Sequence, residues 1–325
     1  MGTAISMGML DYAARADSRL HGGVVKVFAE ESKVLTMAHV IDIGTENTYE
    51  YLVEGSLGNP AWRSIGESIT ASTGLINPAV EHTSILSDMI QIDRQRIGNR
   101  DFVASRIDAT VRGLALKFDR DFFLGDTATD IKSMKGLKAR ITGALLTYAV
   151  DETGATTNGG YVNKSLAEIR KMIRSVRGLP GDKVLFMTGD MHDLLSQAVA
   201  AESQQNYLVV QGADGGVSSL IPSFERVRIV EIEDDHQGNE ILAFNETRGT
   251  DTTTGSIYCV WMGKTQGQGL NFLAKRGNQG IFDLDPFVQN NTQREAPVEG
   301  RVGVVLNHPR TAARAAGFKT TNFGL

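Results

Sequence analysis

The sequence contains a single cysteine, Cys259, in 325 residues. One thiol excludes an intrachain disulfide and a zinc site built from several thiolates, so a reduced compartment inside a cell is the expected place of folding. Cys259 lies in the apolar run IYCVWMG, with no histidine near it in the sequence. A small core residue is therefore a better interpretation of it than a nucleophile.

Long apolar runs and an excess of basic residues are also absent. No run of about 18 apolar residues occurs, and the N-terminal stretch MGTAISMGMLDYAARADSRL lacks the basic start and apolar block of a secretory signal. We therefore expect a protein that is neither secreted nor membrane-spanning. Lysine and arginine number 33 against 38 acidic residues, a net charge of -5, which argues against wrapping nucleic acid by bulk charge.

Motifs for catalysis and cofactor binding are missing as well. The GKT triplet at 263–265 follows a predicted strand, but a P-loop requires glycine where Tyr258 stands. The six histidines share no metal-ligand spacing. Asp190 and Asp193 flank His192, and the start of a helix explains these carboxylates better than acid–base chemistry. We predict no catalytic residue, no cofactor and no metal.

The longest helical signal runs from Asn99 to Gly125. At about 100° per residue its apolar side chains fall within an arc of roughly 80°. The predicted buried stripe is Val103, Ile107, Val111, Leu114 and Phe118, and the predicted exposed side is Asp101, Asp108, Arg112 and Asp119. Asn99 is a good N-cap, and Gly125 suits a left-handed C-terminal position. A helix about 39 Å long should lie across a sheet, although an ordinary surface helix of an α/β enzyme has the same pattern.

The region before this helix predicts an arm and a long hairpin. Residues 1–22 are interpreted as an extended arm, and 22–41 as a short amphipathic helix. Between Ile43 and Thr73 the sequence first alternates and then breaks at Gly55, Gly58 and Asn59-Pro60, which predicts a β-hairpin with a long tip. Its residues provide no apolar face large enough to anchor it on a core, and an isolated hairpin is marginally stable. The hairpin should therefore need a partner surface.

The region after the long helix predicts a separate αβ unit, preceded by an apolar strand-like or irregular stretch at 136–150. Ser165 to Glu168 has the pattern of a capping box at the start of a helix. The predicted apolar side of this helix is Leu166, Ile169, Met172, Ile173 and Val176, and a second helix is expected near Asp190. The acidic run Glu231 to Asp235 is interpreted as a solvated face. Strands are predicted at 184–187, 227–232, 241–244, 257–262, 270–274 and 302–306.

This order of elements, and above all the words ALKFDRDFFLGD at 115–126, resembles one family. The chain is similar to the major capsid protein of tailed bacteriophages with the Hong Kong 97 fold. The resemblance implies an α+β fold with an arm and short helix at 1–42, an extended hairpin loop at 43–74 and a peripheral domain at 75–141 with its spine helix at 99–125. An axial domain at 142–265 and returning peripheral strands with a C-terminal segment at 266–325 would follow.

What the resemblance implies is a shell subunit that forms pentamers and hexamers of an icosahedral head around double-stranded DNA. It would be assembled in the host cytoplasm and located in the virion, with scaffolding, portal and decoration proteins as further partners and no membrane. The loop would contact neighbouring subunits through Tyr49, Tyr51, Trp62 and Arg63, which are residue types enriched in interfaces. No residue matches the self-crosslinking set of some members, so covalent crosslinking is not predicted.

Two alternatives remain at this stage. The first is an encapsulin-like bacterial compartment, for which the arm at 1–22 is too long and mixed to match the usual N-terminal helix. The second is a cytosolic α/β enzyme, which the absence of convergent titratable or phosphate-binding residues disfavours.

Overall fold

A computed structural model of the chain describes residues 6–8, 31–37, 39–44, 46–56, 59–68, 74–148, 161–201, 207–211, 217–249, 251–274, 282–284, 286–290 and 292–319. The elements up to the end of the long helix are β1 (Ser6–Gly8), β2 (His39–Asp42), β3 (Thr48–Ser56), β4 (Leu75–His82), β5 (Ser84–Asp93) and α1 (Arg100–Leu124). We call α1 the spine helix.

The elements after the spine helix are α2 (Leu137–Arg140), β6 (Leu146–Tyr148), α3 (Tyr161–Ser175), β7 (Lys183–Met187), α4 (Gly189–Ala201), β8 (Tyr207–Gln211), β9 (Val217–Phe224) and β10 (Val227–Glu231). They continue with β11 (Glu246–Arg248), β12 (Asp251–Trp261), β13 (Leu270–Ala274), β14 (Phe282–Leu284), β15 (Val288–Asn290), β16 (Gln293–Leu306) and β17 (Ala312–Lys319).

Within the described ranges these strands form three sheets. The first has the order β1-β2-β13-β16-β14, with β5 and β15 also paired to β16. The second has the order β6-β17-β12-β7-β10-β9-β8, with β11 paired to β12. The third consists of β3 and β4 alone and is the hairpin.

The spine helix lies on the first sheet, as predicted from its apolar stripe. Ile107, Val111, Leu114 and Phe118 are buried in the main hydrophobic core, and Val103 packs against that core from a partly buried position. The Asn99 side chain accepts hydrogen bonds of 3.2 Å from the backbone N–H groups of Asp101 and Phe102, so the predicted N-cap is confirmed.

The aromatic end of the spine helix joins the two large sheets. Phe118 contacts Phe272 of β13 in the first sheet with ring centroids 5.4 Å apart, and Phe123 contacts Phe186 of β7 in the second sheet at the same separation. Phe122 lies between them and contacts both rings. Aromatic pairs in these geometries add about 1 kcal/mol each beyond their burial. The three phenylalanines of the segment FDRDFF therefore form the core where the two sheets meet.

Two predictions about the spine helix are wrong. Gly125 has φ -55°, not a left-handed conformation; a side chain there would collide with the carbonyl oxygens of Asp121 and Met134, so close packing explains the glycine. Asp119 is not on the exposed side but is only 4% exposed. The segment at 31–37 covers it, a long-range contact that helical periodicity cannot reveal.

The predicted helix over 22–41 is wrong in its last part: residue 31 is helical and Leu35–Met37 form a 3-10 turn, but a strand follows. Residues 22–30 lie outside the described residues, and His39–Asp42 form β2, which pairs with β13 in parallel and with β1 in antiparallel register. Val40 and Ile41 of this strand are both fully buried, in two different core clusters. A strand that is covered on both faces does not alternate between apolar and polar residues, so its sequence cannot be distinguished from that of a buried helix. Of the predicted arm, only β1 is described.

The second sheet packs one face against the spine helix and the other against α3 and α4. The predicted apolar face of α3 is confirmed, since Leu166, Ile169, Met172, Ile173 and Val176 are buried there. The predicted strand at Val184 to Met187 and the helix near Asp190 are also confirmed as β7 and α4. Strands β10, β12, β13 and β16 likewise lie at the predicted segments.

Four other predictions for this region are corrected. The capping box is wrong because α3 already begins at Tyr161, and no glycine or proline between Tyr161 and Ser165 prevents the helix from extending backwards. Residues 241–244 form a turn rather than a strand, stabilised by a single bridge between Asp234 and Glu240. The stretch predicted as strand-like or irregular is a strand only at β6 within the described residues 136–148, where α2 and a 3-10 turn at 143–145 come first.

The fourth correction concerns one residue of the acidic run: Glu231, Glu233 and Asp234 are exposed as predicted, but Asp235 is not. Asp235 is 5% exposed, and its carboxylate accepts hydrogen bonds from the backbone N–H groups of Gln237 and Asn239 at 2.8 and 3.0 Å. Burial alone would raise the pKa of Asp235, but these hydrogen bonds hold that pKa below its ordinary value. A tight turn, rather than a solvated face, therefore accounts for this carboxylate.

The C-terminal part of the chain divides between the two large sheets. Strands β13 to β16 belong to the first sheet, in keeping with the expected return of the chain to the peripheral part. Strand β17 instead pairs with β12 and β6 in the second sheet. A domain boundary placed at residue 265 therefore separates β17 from the sheet to which it belongs.

Candidate assembly surfaces

The hairpin extends beyond the predicted segment 43–74, because its second strand is β4 at Leu75–His82. Residue pairs from Thr48 with His82 to Ser56 with Leu75 align the two strands in antiparallel register. Pro78 in β4 masked this strand in the sequence, since proline cannot donate a ladder hydrogen bond. It is tolerated here because β4 pairs with β3 alone among the described strands.

The base of the hairpin is anchored on its own chain. Tyr49 and Tyr51 stack with ring centroids 5.9 Å apart and pack on a small core cluster of Ile41, Ile43, Leu273 and Val305. Gln266 also donates a hydrogen bond of 3.2 Å to the Tyr49 hydroxyl. The expectation that the hairpin has no anchor of its own is therefore wrong at its base, because the anchoring cluster is assembled from β2, β13 and β16.

An ion pair fixes the hairpin where it meets the body of the protein. Arg140 of α2 binds both carboxylate oxygens of Glu81 in β4 and donates a further hydrogen bond of 3.3 Å to the Val304 carbonyl. The two side chains are only 11% and 19% exposed. Burial first and the Glu81 carboxylate second raise the pKa of the neighbouring Tyr51. This bidentate contact sets the direction in which the hairpin leaves the body.

Removing one partner of this pair should loosen the hairpin base. We expect Arg140→Met to destabilise the subunit by about 2 kcal/mol, because Glu81 is left partly buried without a counter-charge. The double variant Arg140→Met/Glu81→Leu should recover at least half of that loss. Denaturant unfolding of the four proteins in this cycle measures both effects; equal stability of the wild type and Arg140→Met would contradict the assigned role.

The face of the hairpin opposite the two tyrosines is exposed and carries three apolar side chains beside Glu50, which pairs with Val80. Cross-strand neighbours share a face, so the pairing of Leu52 with Pro78 places Leu52, Ile76 and Val80 together on it. Their exposed fractions are 69%, 61% and 49%. We call this surface the outward face of the hairpin. Sequence reasoning missed these residues. The alternation of side chains along a strand could have placed Leu52 on the face opposite Tyr49 and Tyr51.

The tip of the hairpin has two further exposed apolar side chains. Trp62 and Ile65 are fully exposed at 59–68. Glu67 orders the turn at 64–67. Its carboxylate accepts a hydrogen bond of 2.7 Å from the Ser64 N–H, and its backbone carbonyl accepts one of 2.9 Å from the Arg63 side chain. Of the four predicted contact residues, Trp62 and Arg63 therefore lie at the tip, and Tyr49 and Tyr51 lie at the base against their own chain.

Exposed apolar residues are concentrated in this part of the chain. Eight of the eleven large hydrophobic side chains that are exposed among the described residues lie between 52 and 89. Besides those already named they include Leu75 of β4 and Ile85 and Met89 on the outer side of β5. Single exposed apolar residues are normal, but a contiguous group marks an interaction surface.

The side chains that the sequence analysis considered as candidates for chemistry are buried or take part in structural contacts. Burial raises the pKa of the Cys259 thiol to about 12, so this thiol is unreactive at neutral pH. His192 contacts Glu231 through Nδ1 at 2.6 Å, and Asp190 lies in the first turn of α4. The described residues contain no group of three or more histidine, cysteine or acidic side chains that could hold a metal. Lys264 of the GKT triplet pairs with Asp182.

A polar cavity of about 350 Å³ lies at the edge of the second sheet. Glu246 in its wall binds Arg314, Ser256 and Lys138. Burial alone would raise the pKa of Glu246, but Arg314 and the other donors hold that pKa below its ordinary value. The wall holds three cationic side chains, Lys138, Arg248 and Arg314, against this one carboxylate. No helix in the described part of the chain is both long and apolar enough to span a membrane.

Known proteins similar to this chain are found by comparing structures but not by comparing sequences. The sequence matches no protein-family model, and no curated protein is significantly similar to it. The holo-SrpI encapsulin of Synechococcus elongatus PCC 7942 aligns with a TM-score of 0.61 over 89% of this chain and 88% of that chain, at 10% identity. The capsid of the empty GTA particle aligns with a TM-score of 0.56 over 89% and 90%, at 11% identity.

A third structure, of Mycobacterium phage Adephagia, aligns with a TM-score of 0.55 over 89% of this chain and 90% of that chain, at 12% identity. The chain has the Hong Kong 97 fold. The fold predicted from the sequence resemblance is thereby confirmed.

Proposed function

We propose that this chain is the shell subunit of a tailed double-stranded DNA bacteriophage and assembles as pentamers and hexamers into an icosahedral head. The observation that carries the proposal is the outward face of the hairpin. Its apolar side chains and the Trp62 and Ile65 side chains point away from the chain's own core. A second copy of the chain can cover them, as in large obligate interfaces. The fold, whose solved examples include a cyanophage capsid, supports the same conclusion.

The parts of the chain would then have separate tasks in the shell. We assign the second sheet with α3 and α4, residues 142–265 together with β17, to the contacts around the five-fold and six-fold axes. The spine helix and first sheet, with 75–141 and the returning strands after 266, would meet other subunits at three-fold positions. The hairpin, and the arm at 1–22 outside its paired strand β1, would reach over neighbouring subunits.

Assembly of the purified full chain tests this proposal. We expect closed particles in negative-stain electron microscopy and a fast-sedimenting species in velocity sedimentation, since an exposed apolar surface of this kind favours association. Particles should also form when the buffer contains no nucleic acid. A chain that remains monomeric at high concentration, with normal helical content by circular dichroism, would overturn the shell assignment.

An encapsulin-like compartment is a second candidate, because the encapsulin alignment has a TM-score of 0.61 against 0.56 for the GTA capsid. The contents of particles assembled in their native cell separate the two. A phage head should contain nuclease-resistant DNA, whereas a compartment should contain a protein that mass spectrometry can identify.

Contacts between the shell and enclosed DNA should be weak. A net charge of -5 provides no bulk attraction for phosphate, so any binding should fall steeply with salt. Scaffolding, portal and decoration proteins remain proposed partners on the strength of the family resemblance, and the virion is the proposed location.

A further inference from the structure

The carboxyl group of Asp119 is buried in the middle of the molecule. Asp119 lies on the spine helix and is 4% exposed. The Ser32 hydroxyl donates a hydrogen bond to its Oδ1 atom, and the backbone N–H of Lys33 also approaches it. Ser32 is itself fully buried and accepts a hydrogen bond of 3.1 Å from the Leu35 N–H. The carboxyl group therefore lies beneath the segment at 31–35.

This segment connects three parts of the fold. Glu31 binds Arg112 of the spine helix at 3.0 Å, Ser32 binds Asp119 two turns further along, and Lys33 binds Glu233 beyond β10 in the second unit. Val34 and Leu35 insert into the main core and are at most 1% exposed. The segment then continues into β2 of the first sheet. Its attachment to the spine helix thus connects the beginning of the chain to both large sheets.

We propose that Asp119 and the segment 31–35 form a proton-dependent latch, closed when the carboxyl group is neutral and opened when it ionises. An ionised carboxylate at this site loses its hydration, and the hydrogen bonds from Ser32 and Lys33 offset that cost only in part. Opening the segment exposes it to water and relieves that cost. The neutral acid has no such cost and keeps its hydrogen bond to Ser32.

The balance of the surrounding groups places this transition near neutral pH. Burial raises the pKa of Asp119 to about 7, against the smaller opposing effects of the Ser32 and Lys33 hydrogen bonds and the Lys33 charge. Other charged groups around the latch are paired elsewhere: Glu31 with Arg112, Lys33 with Glu233, Arg120 with Asp235 and Lys117 with Asp121.

The direction of the pH effect follows from linkage. The pKa of Asp119 is raised in the closed state, so the closed state retains a proton that the open, solvated state has already lost. Closure is therefore most favourable below about pH 4 and weakens as the pH rises to about 7, above which it changes no further. Between pH 5.5 and pH 8.5 the opening equilibrium should rise by about 30-fold, because it rises about tenfold per pH unit until the pKa of about 7 is reached.

Hydrogen exchange of the full chain tests the latch. Peptides that cover 31–37 are compared between the wild type and Asp119→Asn at each pH, because a comparison at one pH cancels the intrinsic pH dependence of exchange. We expect the ratio of exchange in the wild type to exchange in Asp119→Asn to rise roughly tenfold or more between pH 5.5 and pH 8.5. Asp108→Asn changes an exposed carboxylate on the same helix, so this control should behave like the wild type.

A second measurement keeps the test decisive if Asp119→Asn folds poorly. A difference infrared titration of the wild type should contain one carboxylic acid band with a midpoint near pH 7, present in Asp108→Asn and in Ser32→Ala. Ser32→Ala should also exchange faster than the wild type at 31–37 at both pH values, because it lacks the hydrogen bond. Identical pH dependence in the wild type and Asp119→Asn, or no acid band that titrates near neutrality, would overturn the latch. Neither result depends on whether the chain forms shells.

Discussion

Val111→Asp in the spine helix is expected to leave no folded subunit. Val111 is 1% exposed and lies in the core between the helix and the first sheet. The new carboxylate would have no cation beside it, at a cost of about 4 kcal/mol or more. Because a domain is stable by only about 5–15 kcal/mol in total, most of its stability would be lost. The measurement is soluble yield together with the circular dichroism of whatever is soluble.

Two matched variants separate burial from helix propensity in this experiment. Ala109→Asp introduces the same residue two positions earlier on the exposed side, and should cost less than about 1 kcal/mol. Val111→Ala keeps the site apolar and should cost about 1–3 kcal/mol through the cavity that it leaves. If Val111→Asp has the yield and helical content of Ala109→Asp, the assigned stripe is not buried.

The second large effect concerns assembly rather than folding. Ser56 and Leu75 are paired in the hairpin register, so a two-residue Asn-Gly turn can replace 57–74 and still join the two strands. The base of the hairpin should stay in place, because the Tyr49–Tyr51 stack and the Arg140–Glu81 pair remain. The subunit should therefore fold with unchanged stability and yet form no closed particles.

The reason is that the replacement removes the tip with its exposed Trp62 and Ile65 side chains. Covering a large apolar side chain contributes about 2 kcal/mol, and this contribution would be lost at every copy of the contact in a shell. Trp62→Ser/Ile65→Ser should therefore weaken assembly in the same direction. Ile131→Ser removes an isolated exposed side chain elsewhere and should have no effect. Sedimentation measures assembly, and circular dichroism measures folding on the same samples.

Normal particles from the shortened protein would mean that the tip is not an intersubunit contact. An unfolded protein would instead mean that the tip stabilises its own subunit, which its exposure contradicts. The two outcomes are distinguished by the circular dichroism spectrum before any particle is examined.

The spine helix is the element that the sequence determined most completely. Its N-cap and its buried stripe depend on residues within a few turns of one another, so periodicity and capping chemistry are sufficient to predict them. The helix runs from Arg100 to Leu124, and the predicted stripe residues face the core. The same locality explains the successful predictions of β7 and of the apolar face of α3.

The hairpin was only partly predictable. Alternation identified β3, but β4 contains Pro78, and its strand conformation depends on pairing with residues about 30 positions away. The anchoring of Tyr49 and Tyr51 depends on Leu273 and Val305, which are more than 200 positions away in the chain. The outward face of the hairpin could be identified only after these contacts showed which face is covered.

The tertiary structure alone decided three further features. Asp119 is buried because the segment at 31–37 crosses the helix, β17 belongs to the second sheet because it pairs with β12, and Gly125 is required because Met134 approaches it. Each depends on the approach of chain segments that are not neighbours within one helix or strand. The sequence by itself determined elements whose stabilising contacts are local, and the fold determined which of their faces are covered and which remain exposed.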